Sequence, residues 1–275
     1  MATIAEQLTN LANTKTAIKD AIVAKGVTVA DTDPFSAYAG KISQISGGGG
    51  VPATKYGASV DAWFGDVDEN GWLYPPTAET ALDFTGVTRI TSSSLKYVFH
   101  SNPSVKTANF GTVQLIDSSG LYGAFYSAKN FIYANFDNLE EIASSGLNNA
   151  FRDTALESLS FPALKIIRLA GFEHGVRDCA ALTSIYFSAL ETAEQGAFRY
   201  AFQKTALTSI SFPALTNVDV GAFQQSATST SSAAFRDVPT LTEIHFRADA
   251  QAAIEAIYGY SSKWGATNAT IYFDL

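Results

Sequence analysis

Three histidines, His100, His174 and His245, are the first places to look for catalysis or metal binding. None has the close pairing of a zinc motif, and no HExxH, GxSxG or phosphate-cradling glycine loop occurs. His245 alternates with Glu243 in residues 241–246 (LTEIHF), so both face the same side of an extended segment. There they form a solvated surface pair rather than an acid/base dyad. Residues 66–71 (DVDENG) fit the first six positions of a calcium loop, with Asp66, Asp68 and Asn70 as oxygen ligands and Gly71 at the sharp turn. The twelfth position should carry a bidentate acid, yet it is Thr77, and Pro75 and Pro76 stand where a helix should begin. A hairpin turn accounts for the same residues without metal. The expectation is a protein with no catalytic residue and no cofactor, one that binds rather than transforms.

Binding chemistry lies instead in polar side chains that recur along the chain. Thr107 and Asn109, Tyr133 and Asn135, Ser158 and Ser160, Ser184 and Tyr186, Ser209 and Ser211, and Glu243 and His245 each flank an apolar residue. Every pair sits in a segment of the form apolar-x-x-apolar-x-Phe, such as residues 156–161 (LESLSF) and 207–212 (LTSISF). The strand period of two turns these pairs outward and the apolar residues inward. Small hydroxyls with two tyrosines can hydrogen-bond to and stack on a glycan. A solvated sheet also simply tolerates Ser and Thr, so the pattern alone leaves both readings open. Two other surfaces compete: the polar stretch 224–234 (QQSATSTSSAA), and the C-terminal tail with Trp264 and Tyr272.

The elements that position these side chains follow from the closing Phe. It recurs at 84, 110, 136, 161, 187, 212, 246 and 273, at intervals of 25 to 27 residues with one interval of 34. One such unit cannot bury its apolar side alone and must stack on its neighbours, which makes the chain a repeat solenoid. After the Phe, apolar residues recur three apart, as in Leu139 and Ile142, Leu164 and Ile167, and Leu190 and Ala193. The excess of the long interval falls in residues 224–234, which are expected to project as a mobile loop.

With 275 residues, nearly half of them apolar, the chain can build a sizeable core. A net charge of −8 disfavours nucleic acid or an anionic membrane as main partner. A single cysteine excludes an internal disulfide framework. No basic start followed by an apolar run opens the chain, and no stretch of about 18 apolar residues occurs, so neither a signal peptide nor a membrane-inserted segment is expected.

Five segments are expected. In residues 1–46, Ile4, Leu8, Leu11, Ile18 and Ile22 follow the register of a coiled-coil seam interrupted by Lys15, and Asp33 with Pro34 opens a second helix. Helices this short are marginal alone, so they are expected to pack on copies of themselves, a trimer being favoured, or on a docking partner. Residues 47–50 are a glycine hinge, and residues 51–80 a hairpin cap turning at Asn70-Gly71. The repeats fill 81–247, and 248–275 form a C-terminal cap.

The repeat pattern resembles the BspA-like class of leucine-rich repeat. It runs Ala-Phe, a small-residue turn, Leu-x-x-Ile-x-Phe and Pro-Ala-Leu, and residues 150–164 (AFRDTALESLSFPAL) and 201–215 (AFQKTALTSISFPAL) carry it best. The resemblance implies a right-handed solenoid with a parallel sheet, of the kind found in bacterial surface adhesins and some phage proteins, and gives Cys179 the place of a buried structural cysteine. Residues 11–45 (LANTKTAIKDAIVAKGVTVADTDPFSAYAGKISQI) resemble N-terminal segments of tail-associated proteins in phages and prophages of gut bacteria. Together these imply a tail-associated receptor-binding protein of a virion or phage-like particle. Its partners would be itself, other virion proteins and a glycan or protein of the bacterial surface. A bacterial surface or secreted adhesin is the alternative, and a structural virion decoration or connector a further one.

Overall fold

The computed structural model describes residues 81–275 continuously, together with the short pieces 14–16, 18–19, 29–30 and 54–55. The chain divides into two units, Met1–Ala53 and Thr54–Leu275. In the first, residues 14–16 and 18–19 are helical and Ile18 is half-buried. Ile4, Leu8, Leu11 and Ile22, the glycine hinge, and the hairpin with Asp66, Asp68 and Asn70 lie outside the described residues.

The second unit is a parallel β-solenoid of about seven turns. Its first side is built from β1 (Thr54–Lys55), β2 (Ala81–Asp83), β4 (Thr107–Asn109), β6 (Tyr133–Asn135), β8 (Ser158–Ser160), β10 (Ser184–Tyr186), β12 (Ser209–Phe212), β14 (Glu243–Phe246) and β15 (Thr270–Phe273). Each pairs in parallel with the equivalent strand of the next turn or lies beside it. The second side is a parallel sheet of two-residue strands: β3 (Arg89–Ile90), β5 (Leu115–Ile116), β7 (Glu141–Ile142), β9 (Ile166–Ile167), β11 (Thr192–Ala193) and β13 (Asn217–Val218). The apolar residues spaced three apart supply it: Leu164 closes a turn on Phe161, and Ile167 points inward from β9.

The third side is a ladder of turns. Here alternate backbone N–H groups donate within the turn and to the neighbouring turn. Asn148 N–H reaches Ser145 O at 3.1 Å, Asn149 N–H reaches Glu173 O at 3.0 Å, and Phe151 N–H reaches Gly175 O at 2.9 Å. The arrangement needs a left-handed residue every fourth position, and the chain supplies Ser145, Asn149 and Asp153, then Ala170, His174 and Asp178, with φ between 53° and 64°. Side chains are strained in that region, so the ladder is held by the satisfaction of its backbone groups rather than by local preference.

Between the three sides lies one core. Phe84, Phe110, Phe136, Phe161, Phe187, Phe212 and Phe246 stack up its axis, with successive ring centroids 4.4, 4.9, 5.2, 5.5, 5.7 and 5.4 Å apart. That column is the physical meaning of the Phe period: identical rings in register meet face to face, burying area and adding pairwise attraction. A second column, Phe99, Phe125 and Phe151, backs the turn side at 5.0 and 5.6 Å. Cys179 is buried on the same side, its thiol 2.9 Å from Phe151 O, and burial pushes its pKa up to about 11. It is a packed thiol, not a reactive one.

At the C-terminal end, the helix α1 (Gln251–Glu255) and a kinked 3-10 stretch Tyr260–Gly265 cover the last turn. The helix spans five residues, and β15 adds a full rung to the first sheet. The insertion departs from expectation. Gln224, Ser232, Ala233 and Ala234 are buried. Ser232 Oγ donates to Ser229 O at 2.8 Å and accepts from Gln225 N–H at 2.9 Å. Its ends are therefore built into the wall, and only the residues between them stand out.

Candidate ligand-binding face

All twelve outward positions expected from the alternation lie on the outer surface of the first sheet, while Ala108, Ala134, Leu159, Ile185, Ile210 and Ile244 between them are buried. Parallel register sorts them into two rows. One runs Thr107, Tyr133, Ser158, Ser184, Ser209 and Glu243; the other runs Asn109, Asn135, Ser160, Tyr186, Ser211, His245 and Tyr272.

The rows are not chemically uniform. At the N-terminal end the amides are tied down. Asn109 Nδ2 donates to Asp83 Oδ1 at 3.2 Å, Asn135 Nδ2 donates to Asn109 Oδ1 at 3.3 Å, and Asn109 Oδ1 accepts from Gly111 N–H at 3.0 Å. Asn109 and Asn135 thus hold the strand ends rather than wait for a ligand. The centre differs. Tyr133 and Tyr186 are 50% and 52% exposed, which is high enough to leave a ring face free. Tyr186 stands between two hollows. One, of about 100 Å3, has Ser158 and Ser160 as floor with Tyr133 and Asp137 at its far side. The other, of about 360 Å3, has Ser209 and Ser211 as floor with His245 and Leu275 at its far side. Tyr186 and His245 share a row two strands apart, roughly 10 Å, and Tyr133 stands two strands from Tyr186 in the other row, roughly 12 Å away. Aromatic walls thus alternate with hydroxyl floors along the solenoid axis.

His245 is held in place by groups only partly legible in the sequence. Its Nδ1 lies 2.9 Å from Asp274 Oδ1, its Nε2 lies 3.5 Å from Glu243 Oε2, and its ring stacks on Tyr272 with centroids 4.8 Å apart and planes 14° from parallel. Asp274 and Tyr272 were outside the repeat pattern, yet the register of β15 on β14 brings them here. The imidazole is thereby a fixed platform between two carboxylates. No group of three or more His, Cys, Asp or Glu side chains among the described residues is arranged to hold a metal ion.

Of the two competing surfaces, the tail divides. Trp264 is fully buried against Phe223 and donates its Nε1–H to Tyr258 O at 2.9 Å, so it is core and not a contact residue. Tyr272 is exposed on the sheet face. The insertion contributes Thr230 to a separate hollow of about 650 Å3, shared with Val238, Pro239, Ser262 and Thr267.

No family model matches the chain, and no curated protein matches it. Among solved structures the chain is similar to the pneumococcal vaccine antigen PcpA, at 13% identity over 69% of this chain and 67% of that one, with a TM-score of 0.17.

Proposed function

We propose that the chain is an adhesion protein of the BspA-like leucine-rich repeat type, which recognises a glycan of the bacterial envelope on the outer face of its first sheet. One observation carries the reading: Tyr186 rises as an exposed ring between two hydroxyl-floored hollows, with Tyr133 and the His245–Tyr272 stack as outer walls. Sugar rings present apolar C–H faces and a rim of hydroxyls, which suit aromatic walls and serine floors respectively. A flat array without a deep cavity gives weak contacts singly, so avidity from several copies joined through residues 1–46 belongs to the same reading.

The repeat pattern supports a bacterial surface or secreted adhesin as carrier. The N-terminal resemblance supports a tail-associated receptor-binding protein of a phage or phage-like particle. The sheet face does the same work in both. A decoration or connector role on a virion would leave that face facing other virion proteins.

The test compares full-length protein with Tyr186→Ala for binding to isolated bacterial envelope polysaccharide by surface plasmon resonance. Loss of a stacking ring weakens binding about tenfold or more, while the melting temperature stays within about 2 °C because the ring is exposed. Equal binding by both proteins would remove the sheet face as the site.

A further inference from the structure

The turn ladder carries a second set of side chains that the sheet-face reading does not use. Arg152, Arg177 and His174, Arg199 and Lys204 stand on three successive turns, brought into register by Asp153 N–H to Arg177 O at 2.8 Å, His174 N–H to Arg199 O at 2.9 Å and Asp178 N–H to Gln203 O at 2.8 Å. Four cations share two carboxylates here. Asp178 faces Arg152 at 3.2 Å, Arg177 at 3.4 Å and Lys204 at 3.5 Å, and Glu173 faces Arg199 at 3.2 Å. Lys129 and Asp153 pair alongside and cancel.

Like charges on neighbouring rungs destabilise a ladder, and on the second sheet each arginine has an acid of its own. There Arg89 meets Asp117 at 2.8 Å, and Arg168 is flanked by Glu141 and Glu194, both at 2.8 Å. On the turn side Arg152 is followed by Arg177 at the equivalent position, and the two share a single acid, Asp178, with Lys204. Aromatic rings hold the cations in place. The Arg152 guanidinium lies 5.1 Å from the Tyr126 ring, the Arg177 guanidinium 5.7 Å from the Tyr200 ring, and Tyr200 stacks on His174 at 4.3 Å. The Nε of Arg177 lies 3.4 Å from Asp178 Oδ2, and the Nε of Arg199 is buried without a hydrogen-bond partner, so the outer faces of the heads and the exposed Lys204 are what a ligand meets.

We propose that this stripe binds an anionic carbohydrate polymer, one bearing carboxylate or phosphodiester groups spaced along its length. Arginine forks match such oxyanions bidentately, and Tyr126 and Tyr200 supply rings for the intervening sugars. The net charge of −8 opposes a densely charged duplex, which carries one charge per roughly 1.7 Å. A polymer with sparser charge meets the stripe without facing that repulsion along its whole length. The stripe and the sheet lie on different sides of the solenoid, so one protein could hold its own polymer while the sheet engages another ligand.

Full-length protein would be titrated with hyaluronan, poly(glycerol phosphate), neutral dextran and duplex DNA by isothermal calorimetry at two salt concentrations. At least one of the first two binds, with affinity falling as salt rises, while dextran and DNA bind at least tenfold more weakly; which of the two binds tells carboxylate from phosphodiester. Lys204→Glu, a change at an exposed side chain, and the double variant Arg177→Gln with Lys204→Gln each lower that affinity about tenfold, the scale of one charge-assisted hydrogen bond. Arg89→Gln on the second sheet leaves it unchanged. Absence of binding to both anionic polymers, equal binding of dextran, tighter binding of DNA, or indifference to both stripe variants would each overturn the assignment.

Discussion

Replacing Phe161 by alanine tests whether the ring column holds the solenoid together. Phe161 is fully buried, with centroids 5.2 Å from Phe136, 5.5 Å from Phe187 and 5.7 Å from the edge-on ring of Phe172. A buried Phe→Ala change costs about 3–5 kcal/mol, the spread reflecting how far the site collapses. Collapse is restricted here, because the strands above and below are fixed by main-chain bonds such as Phe161 N–H to Tyr186 O at 3.0 Å. The cost therefore falls near the top of the range, about 4–5 kcal/mol, against a total stability of about 5–15 kcal/mol for a domain. With a urea slope of about 2 kcal/mol/M the unfolding midpoint drops by roughly 2 M. Far-UV circular dichroism against urea reads this directly. Because a solenoid is coupled only through neighbouring turns, the transition also broadens as the two flanking blocks uncouple. Ser160→Ala, one residue away on the outer face, changes the stability by less than about 0.5 kcal/mol. Should Phe161→Ala cost no more than Ser160→Ala, the column would not be the element that holds successive turns.

Other consequences concern the turn ladder. Ala170→Gly is expected to stabilise the protein by about 0.5–1 kcal/mol, because φ is 53° there and the left-handed strain of an alanine outweighs the chain entropy of glycine; Ala197→Gly, on ordinary backbone in the next turn, is expected to destabilise it, and thermal melts distinguish the two. His174 has its pKa lowered to about 4, first by burial and then by Arg177, Arg152 and Arg199. The unfolded chain therefore binds a proton between pH 6.5 and 4 that the folded chain does not. The stability from this group is complete above pH 6.5 and is lost as pH falls toward 4, on the order of 1–2 kcal/mol after allowance for solvent screening. Glu173 beside it has its pKa raised by burial and acts in the opposite sense. The comparison of wild type with His174→Gln isolates the histidine: urea midpoints converge near pH 4 and separate toward pH 7, and parallel curves would refute the assignment.

The fold was legible wherever the signal was a buried ring or a period of two. The closing Phe and its outward neighbours gave the first sheet because each strand is three or four residues long and alternates cleanly. The second sheet showed only as apolar residues three apart, since a two-residue strand such as Ile166–Ile167 is too short to display a period. The turn ladder left little signal of the usual kind. Left-handed positions normally announce themselves as Gly or Asn; Gly123, Asn149 and Gly196 do so, but most of the others are residues such as Ser145, Asp153, Ala170, His174 and Tyr200, held there by inter-turn hydrogen bonding. Trp264 was misplaced for a related reason: it lies beyond the last full repeat, where no alternation tells inside from outside.

One signal for the stripe was present in the chain. Arg152 and Arg177 stand 25 residues apart, and His174 and Tyr200 stand 26 apart, the same steps that separate Phe136, Phe161 and Phe187. In a solenoid, a step of one period returns the chain to the same place around the turn one rung along the axis, so residues separated by one period are neighbours whatever their local context. Reading every polar residue modulo the Phe period, rather than only those beside the Phe, would have placed guanidinium over guanidinium and imidazole over phenol. The same step explains why the two faces can diverge. Each side of a turn meets only its own side of the next, so a column of cations on the turns and a column of serines and tyrosines on the sheet share a core without constraining one another's chemistry.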